Sequence, residues 1–234
     1  MKTIGIIGGM GWPSSLAYYE KINLLVAEKL GAGHCANLIL VQTDFARLTT
    51  YAAEGRWDMV GEGIVTLAKQ LENAGAHFIM IACNMAHRVL PDIKDEIRLP
   101  IIHIVDVASE KIKSHGFKTV GLLGHYHTMN DDFFRGRLKQ EHNILCIIPT
   151  PEQQEIIQQI TVEEVSRGVF LESARVKFRE VMDALVAQGC EAIIFGCTEY
   201  GRLMDINSGP VPIIDTLIEH VEAAVEQSLE KTSQ

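Results

Sequence analysis

The chain repeats one sequence pattern at a nearly constant spacing of 112 to 116 residues. KTIGIIG at Lys2 matches KTVGLLG at Lys118, and AGAHFIMIACNMA, which contains Cys83, matches QGCEAIIFGCTEY, which contains Cys197. A third pair, LPIIH around Pro100 and VPIID around residue 212, follows in the same order. Three ordered matches with little drift in spacing predict two copies of one folding unit.

Short β-branched runs alternate with amphipathic stretches along the chain, which is typical of parallel strands joined by crossover helices. The predicted fold class is therefore α/β. Helices are predicted over 14–30, 58–74 and 171–188, each followed by a glycine that favours a helix end. Strands are predicted at 3–8, 37–42, 77–82, 101–105, 119–124, 144–148, 191–196 and 211–214.

The repeat also sets the predicted domains. We assign 1–99 together with 210–234 to a first α/β domain, and 100–209 to a second. Each is expected to hold a parallel sheet of about four strands flanked by helices. The active site is expected in a cleft between these pseudosymmetric domains, at the carboxyl ends of their strands, where open parallel sheets bind ligands.

Composition disfavours several classes of partner. The 234 residues carry a formal charge of −9 without a cluster of Lys and Arg, which argues against nucleic acid or an anionic membrane. The start MKTIGIIGGMGW does not resemble a signal peptide, and no apolar run approaches the roughly 20 residues that span a bilayer. We therefore expect a cytoplasmic protein, in which the five cysteines stay reduced.

Cys83 and Cys197 lie at equivalent strand ends of the two copies and are the main candidates for chemistry. Two thiols that reach one carbon can remove a proton from one face and return it to the other, if one starts as thiolate and the other as thiol. The other three cysteines have no equivalent partner and are expected to be structural: Cys35, Cys146 and Cys190.

Two alternatives for these thiols stay open at this point. A cysteine beside a β-run is often a small buried hydrophobe. Cys83 and His87, four residues apart on one helical face, are also a candidate metal pair, with Cys197 and Glu199 as further ligands. A metal would occupy the thiolates that proton transfer requires, so we expect no metal, and we expect His87 to support a neighbouring residue or to cap a helix.

The loop GGMGW after the first strand is expected to bind a small anion. The dinucleotide fingerprint GxGxxG would need glycines at 9, 11 and 14, but the last of these is Ser14 and Pro13 interrupts the turn. Backbone N–H groups beside the glycines suit a carboxylate instead. Arg47 in TDFARL can grip a carboxylate through two parallel hydrogen bonds, or be an ordinary surface arginine. Thr128, in the equivalent loop of the second copy, can donate to the same ligand or cap the following helix.

Five segments together resemble the aspartate/glutamate racemase family, in particular its aspartate-racemase branch: KTIGIIGGMGW, CNMAH, KTVGLLG, GCTE and VPIIDT. The resemblance extends over essentially the full chain. It implies amino-acid racemisation by cofactor-independent 1,1-proton transfer without pyridoxal phosphate, on two α/β domains, often in a homodimer.

The resemblance also assigns roles to residues. Cys83 and Cys197 fall on the catalytic cysteines, with Cys197 acting on the L enantiomer and Cys83 on the D enantiomer. The arginine for the distal carboxylate falls on Arg47. The remaining positions expected to bind substrate are Met10, Asn84, Met85, Thr128, Thr198 and Glu199.

Two departures from the family pattern bear on the substrate. Met85 stands where the usual CNTxH motif has a threonine, and Gln154 stands where the branch often has a Lys or Arg that holds the side-chain carboxylate. The expected substrate is therefore aspartate, glutamate or a similar amino acid. Alternatives are a related dicarboxylate isomerase, a hydantoin racemase, or a non-catalytic amino-acid-binding protein on the same scaffold.

Overall fold

The computed structural model describes residues 1–230, which form two compact units. Unit 1 comprises Met1–His103 and the chain from His220 onward, and unit 2 comprises Ile104–Glu219. Each unit is a parallel sheet flanked by helices, so the predicted α/β class is confirmed. Within the described residues, no helix combines the length and hydrophobicity that crossing a membrane requires.

Unit 1 is built on three parallel strands, β1 (Ile4–Gly8), β2 (Leu38–Gln42) and β3 (Phe78–Ile81), in the order β2-β1-β3. Its helices are α1 (Trp12–Leu30), α2 (Phe45–Ala53), α3 (Trp57–Asn73) and the short α4 (Leu90–Ile93), with 3-10 helices at Met85–Val89 and Lys94–Glu96.

Unit 2 is built on four parallel strands, β4 (Thr119–Gly124), β5 (Leu145–Ile147), β6 (Ala192–Gly196) and β7 (Ile213–Asp215), in the order β5-β4-β6-β7. Its helices are α5 (Ile104–Ser114), α6 (Tyr126–Asn130), α7 (Asp132–His142), α8 (Pro151–Glu163), α9 (Glu172–Ala187), α10 (Tyr200–Leu203) and the start of α11 (Thr216–Leu229), with a 3-10 helix at Val165–Arg167.

The sequence repeat reappears in the packing of the central strands. Gly5 of β1 faces α3 and the turn after it so closely that an added Cβ would lie 2.9 Å from Ala76 Cβ and 3.1 Å from Leu71 Cδ1. The equivalent contacts in unit 2 are those of Gly121 in β4 with Leu185 and Cys190. Cys190 thus takes the packing position of Ala76, which agrees with a structural role for this thiol.

The predicted strand at 101–105 is wrong beyond its first residue. Only Ile101 pairs with β3, through a bridge to Ile79 whose flanking hydrogen bonds run from Ile79 N to Pro100 O (2.8 Å) and from Ile102 N to Ile79 O (3.0 Å). The chain then enters α5 at Ile104. The apolar residues that suggested a strand continue at helical spacing, because Ile104, Ala108 and Ile112 are all buried on one face of α5.

The unit boundaries also differ from the predicted domain limits. Residues 100–103 belong to unit 1, because Ile101 pairs with β3, and residues 210–219 belong to unit 2, because β7 pairs with β6. The chain crosses between units at 103–104 and again within α11 at 219–220.

The tight approach at the central strands generates a prediction for stability. Replacing Gly5 or Gly121 with alanine adds a Cβ to a packed interior, and we expect each variant to lose about 1–3 kcal/mol of unfolding free energy. The measurement is urea denaturation followed by circular dichroism. Gly63→Ala is the control, because this helical glycine has only the end of the Leu48 side chain nearby, at 3.3 Å. Equal stability of the three variants would contradict the close packing described above.

Candidate active site

Cys83 lies directly beyond the carboxyl end of β3 and is 9% exposed. The strand pairing continues through Ala82, whose N–H donates to Ile7 O at 2.9 Å. The chain then turns, because Cys83 N donates back to Ile81 O at 2.8 Å, and the 3-10 helix Met85–Val89 follows. The backbone of Cys83 is thereby fixed on its amide side. The carbonyl side accepts a hydrogen bond from His87 Nδ1 at 2.9 Å.

The loop after β1 lies at the same edge of the sheet as Cys83. Gly9 has φ +88°, and a Cβ at this position would collide with the carbonyl oxygen of Thr43, so the position requires glycine. Gly9 N donates to Ser15 Oγ at 2.8 Å, which fastens the loop to the start of α1. Met10 is 5% exposed and shares one apolar cluster with Cys83, against which the half-buried Met85 also packs.

Cys197 occupies the equivalent position after β6 in unit 2 and is half-buried. The buried side chain of Thr128 packs at this strand end, since a Cβ on either Gly124 or Gly196 would come within 3.0 Å of Thr128 Cγ2. The glycines at the ends of β4 and β6 thus leave room for the Thr128 side chain, beside the residue that precedes Cys197. Thr128 and Cys197 were both selected from the sequence. The structure places Thr128 against the end of the strand that leads into Cys197.

Tyr200 anchors the segment that follows Cys197. Its N–H donates to Cys197 O at 3.1 Å, and its hydroxyl is 2.7 Å from Thr161 Oγ1. Burial, with a smaller contribution from neighbouring Cys197 and Glu199, raises the pKa of Tyr200 well above its ordinary value, so the phenol stays protonated. The neutral, fully buried side chain of Tyr200 therefore anchors the segment between Cys197 and α10.

The three polar residues next to the cysteines are all buried. Asn84 is 4% exposed, Thr198 is 7% exposed and Glu199 is 5% exposed. Polar side chains are seldom buried unless they are hydrogen-bonded or functional. The burial of these three residues therefore distinguishes them from ordinary loop residues.

Arg47 lies on α2, a helix that packs through Leu48 and Ala52 into the apolar cluster that contains Cys83. The helix begins after Asp44, whose Oδ1 accepts from Ala46 N at 3.2 Å. The exposed guanidinium donates from Nε to Tyr51 Oη at 3.3 Å. It lines a cavity of about 300 Å³, whose walls come from α2, α3 and the segment between β2 and α2: Thr43, Leu48, Tyr51, Met59, Glu62, Gly63, Thr66 and Leu67. Cys83 does not line this cavity.

Gln154 is used for packing within unit 2. Its Nε2 donates to Pro149 O at 2.8 Å, and its Oε1 accepts from Asn130 Nδ2 at 2.8 Å. Both ends of the amide therefore bind protein groups, and the side chain is only 8% exposed. It joins the start of α8 to the end of α6.

A group of three histidines, of which His87 and His220 are buried and His103 is half-buried, was missed as a unit by the sequence reasoning. From the sequence, His87 was considered as a metal ligand because of its spacing from Cys83, and was expected instead to support a neighbouring residue or to cap a helix. In the structure, its ring centroid lies 4.9 Å from that of His103 and 6.0 Å from that of His220. Within residues 1–230, no group of three or more His, Cys, Asp or Glu side chains is arranged to hold a metal ion. The spacing to Cys83 was the one available signal, because His220 is distant in sequence.

The chain belongs to the Asp/Glu/Hydantoin racemase family, whose sequence pattern it matches over residues 7–224. The family expected from the sequence motifs is thus confirmed.

Among solved structures, a Yersinia pestis protein provisionally assigned as an Asp/Glu racemase superposes with a TM-score of 0.91 at 38% identity, covering 98% of this chain and 100% of the other. An aspartate racemase homologue from Pyrococcus horikoshii gives 0.85 at 31% identity, with coverages of 98% and 100%. Among characterised sequences, a broad specificity amino-acid racemase from Bacillus subtilis is 23% identical over 91% of this chain and 92% of its own length.

Proposed function

We propose that this protein is a cofactor-independent amino-acid racemase for aspartate, glutamate or a similar amino acid, with Cys83 and Cys197 as its two acid–base residues. The observation that carries the proposal is that Cys83 follows β3 and Cys197 follows β6, the equivalent strands of the two units, in a member of a racemase family. Relatives named for aspartate, glutamate and broad-specificity racemisation support the substrate range.

In the proposed reaction, the Cys197 thiolate removes the α-proton of the L enantiomer. The Cα–H bond breaks, an S–H bond forms on Cys197, and the electron pair stays on Cα, conjugated with the carboxylate. The Cys83 thiol then delivers its proton to the opposite face, which forms the D enantiomer and leaves Cys83 as thiolate. The reverse reaction uses the opposite assignment, so neither thiol requires an external oxidant or reductant.

The buried polar residues beside each thiol are proposed to bind the α-carboxylate. Asn84, Thr128 and Thr198 offer amide and hydroxyl donors, and the loop at Met10 offers a backbone N–H group. Donors of this kind stabilise the charge that spreads onto the carboxylate as the proton leaves Cα. Met85 and Glu199 are proposed to border the same ligand.

The loss of either thiol tests the two-base reaction. We expect Cys83→Ser and Cys197→Ser each to lower racemisation by at least about 100-fold, because a serine hydroxyl is a far weaker acid than a thiol. The measurement is incubation of L-aspartate and L-glutamate in D2O, with deuterium at Cα read by mass spectrometry and enantiomers separated by chiral chromatography. Cys35→Ser is the control, because Cys35 is exposed and has no assigned role.

Two results would contradict this proposal. If the native protein incorporates no deuterium into any acidic amino acid, the acidic-substrate racemase is wrong. If ligand raises the melting temperature while Cα remains unlabelled, the protein is an amino-acid-binding protein.

Arg47 is proposed to select substrates with a second carboxylate. We expect Arg47→Ala to lower kcat/KM for aspartate and glutamate by about 10- to 100-fold, and to leave that for alanine nearly unchanged, since a charged hydrogen bond contributes roughly 1.5–3 kcal/mol. Arg56→Ala is a matched control, because Arg56 is also exposed and stacks on the same Tyr51 ring at 4.9 Å without lining the cavity. Equal losses for acidic and neutral substrates, or for both variants, would remove this role.

A homodimer is the assembly we propose, formed through a surface on unit 1. Four large apolar side chains surround a groove of about 440 Å³ between α1 and the edge strand β2, with Trp12 64%, Leu16 55%, Tyr19 51% and Leu40 38% exposed. Exposed apolar groups beside an edge strand are costly in an isolated chain, and a two-fold contact between identical faces covers both.

Light scattering measures this assembly. We expect a native mass twice the 26.0 kDa of one chain, and a shift to the single-chain mass in the variant Leu16→Lys/Tyr19→Lys. Leu24→Lys is the control, because Leu24 is 63% exposed on the same helix but does not line the groove. A native mass of 26.0 kDa would refute the dimer, and dissociation by the control would refute this surface.

A further inference from the structure

Three buried aromatic side chains of unit 1 lie in a row that ends at the backbone of Cys83. Tyr18 and His220 are fully buried, and His87 is 1% exposed. Tyr18 Oη lies 2.9 Å from His220 Nδ1, and the ring of His220 lies 6.0 Å from that of His87. His87 Nδ1 in turn lies 2.9 Å from Cys83 O.

The partners of His220 define its protonation. A carbonyl oxygen can only accept, so His220 Nε2 carries the hydrogen that it donates to Ile102 O at 2.9 Å. Burial, with a smaller effect of neighbouring His87, lowers the pKa of His220 to about 3, so the ring is neutral near pH 7. Its Nδ1 therefore accepts from the Tyr18 hydroxyl. Tyr18 and Ile102 hold this ring from both sides, and it forms part of the wall against which His87 packs.

The same reasoning fixes the tautomer of His87. Cys83 O accepts, so His87 Nδ1 is the donor. The backbone of His87 does not take this place, because its N–H donates to Asn84 O at 3.1 Å, in the tighter pattern of a 3-10 helix. The imidazole thus supplies the contact to the Cys83 carbonyl that the backbone N–H four residues on would supply in an α-helix.

The second copy has no imidazole at the position equivalent to His87. Position 201, the repeat equivalent of His87, is Gly201, and a Cβ there would collide with the Asp215 carboxylate. The carbonyl of Cys197 instead accepts from the backbone N–H of Tyr200 at 3.1 Å. The Cys83 carbonyl thus accepts from a side chain, and the Cys197 carbonyl accepts from a backbone N–H.

We propose that His87 is a positioning residue that acts on Cys83 and not on Cys197, by holding the Cys83 carbonyl through its Nδ1–H and thereby setting the direction of the Cys83 Cα–Cβ bond. The proposal rests on the proposed racemase function for its catalytic consequence. His87 itself transfers no proton to or from the substrate. The imidazole acts through the peptide, and its neutral neighbour His220 keeps it in place.

The test compares two substitutions of His87. His87→Leu removes the donor, whereas His87→Asn retains a side-chain N–H near the position of Nδ1. We expect His87→Leu to lower kcat by about tenfold or more with little change in KM, since small misplacements of a reacting group are costly in rate. We expect His87→Asn to recover most of the loss. His77→Leu is the matched control, because His77 Nδ1 bonds the backbone N–H of Thr3 at 3.0 Å near the opposite end of β3.

A second measurement is independent of activity. The rates at which iodoacetamide alkylates Cys83 and Cys197 are followed by peptide mass spectrometry in the same native sample. Cys146 provides an unreactive reference, since burial raises its pKa to about 12. We expect His87→Leu to change the rate at Cys83 by about tenfold and leave that at Cys197 unchanged, with His87→Asn close to native.

Several outcomes would overturn the proposal. Native kcat and a native Cys83 alkylation rate in His87→Leu would show that the contact has no effect on the thiol. Equal changes at Cys83 and Cys197, or a loss that His87→Asn does not recover, would show a general effect on folding. If the native protein racemises nothing, the proposed function fails, while the ratio of alkylation rates still decides whether His87 positions Cys83.

Discussion

Parallel pairing of a central strand with its neighbours is the constraint on which the rest of each unit depends. In unit 1, β1 pairs in register with both β2 and β3, and in unit 2, β4 does so with β5 and β6. Parallel strands end at one edge of the sheet, so the loops that carry Met10 and Cys83 in unit 1, and Thr128 and Cys197 in unit 2, are brought to one edge within each unit.

The packing of side chains against these sheets requires small residues at defined places. Gly5 and Gly121 let a helix approach the middle of the central strand, whereas Gly124 and Gly196 admit Thr128 at the strand ends. The first pair serves packing and the second serves the candidate site. Glycines that look alike in the sequence therefore carry different tasks, which their position along the strand decides.

The sequence predicted most of the strands, and the position of Cys83 and Cys197 after equivalent strands, because both depend on local pattern and on the repeat. It failed at 101–105, where β-branched residues serve first a single bridge and then the buried face of α5. It also could not group Tyr18, His87 and His220, because their proximity depends on α11 returning to unit 1 after the whole of unit 2. Arg47 was selected from the sequence as a carboxylate ligand, but its contact with Tyr51 and its place on the wall of a cavity could not be predicted, because both depend on how α2 packs on α3.

The two copies differ where each thiol meets the helix that follows it. An imidazole holds the peptide of Cys83, and Tyr200, a buried phenol whose backbone N–H bonds Cys197 O, lies beneath the peptide of Cys197. Duplicated scaffolds with identical supports would give two interchangeable bases. Here the supports differ, so the thiols are equivalent by position in the sheet and distinct in what holds them.

The two hydrogen bonds of Gln154 restrict which residues can replace it. Because its amide bridges Pro149 O and Asn130 Nδ2, a lysine at this position would keep a donor for the carbonyl and lose the acceptor for the asparagine. Introducing a cation there is thus a two-residue problem, in which residue 130 must change together with residue 154. An evolutionary path between neutral and charged residues at position 154 would pass through an intermediate with a mismatched pair, so the amide is a local barrier to the introduction of a cation.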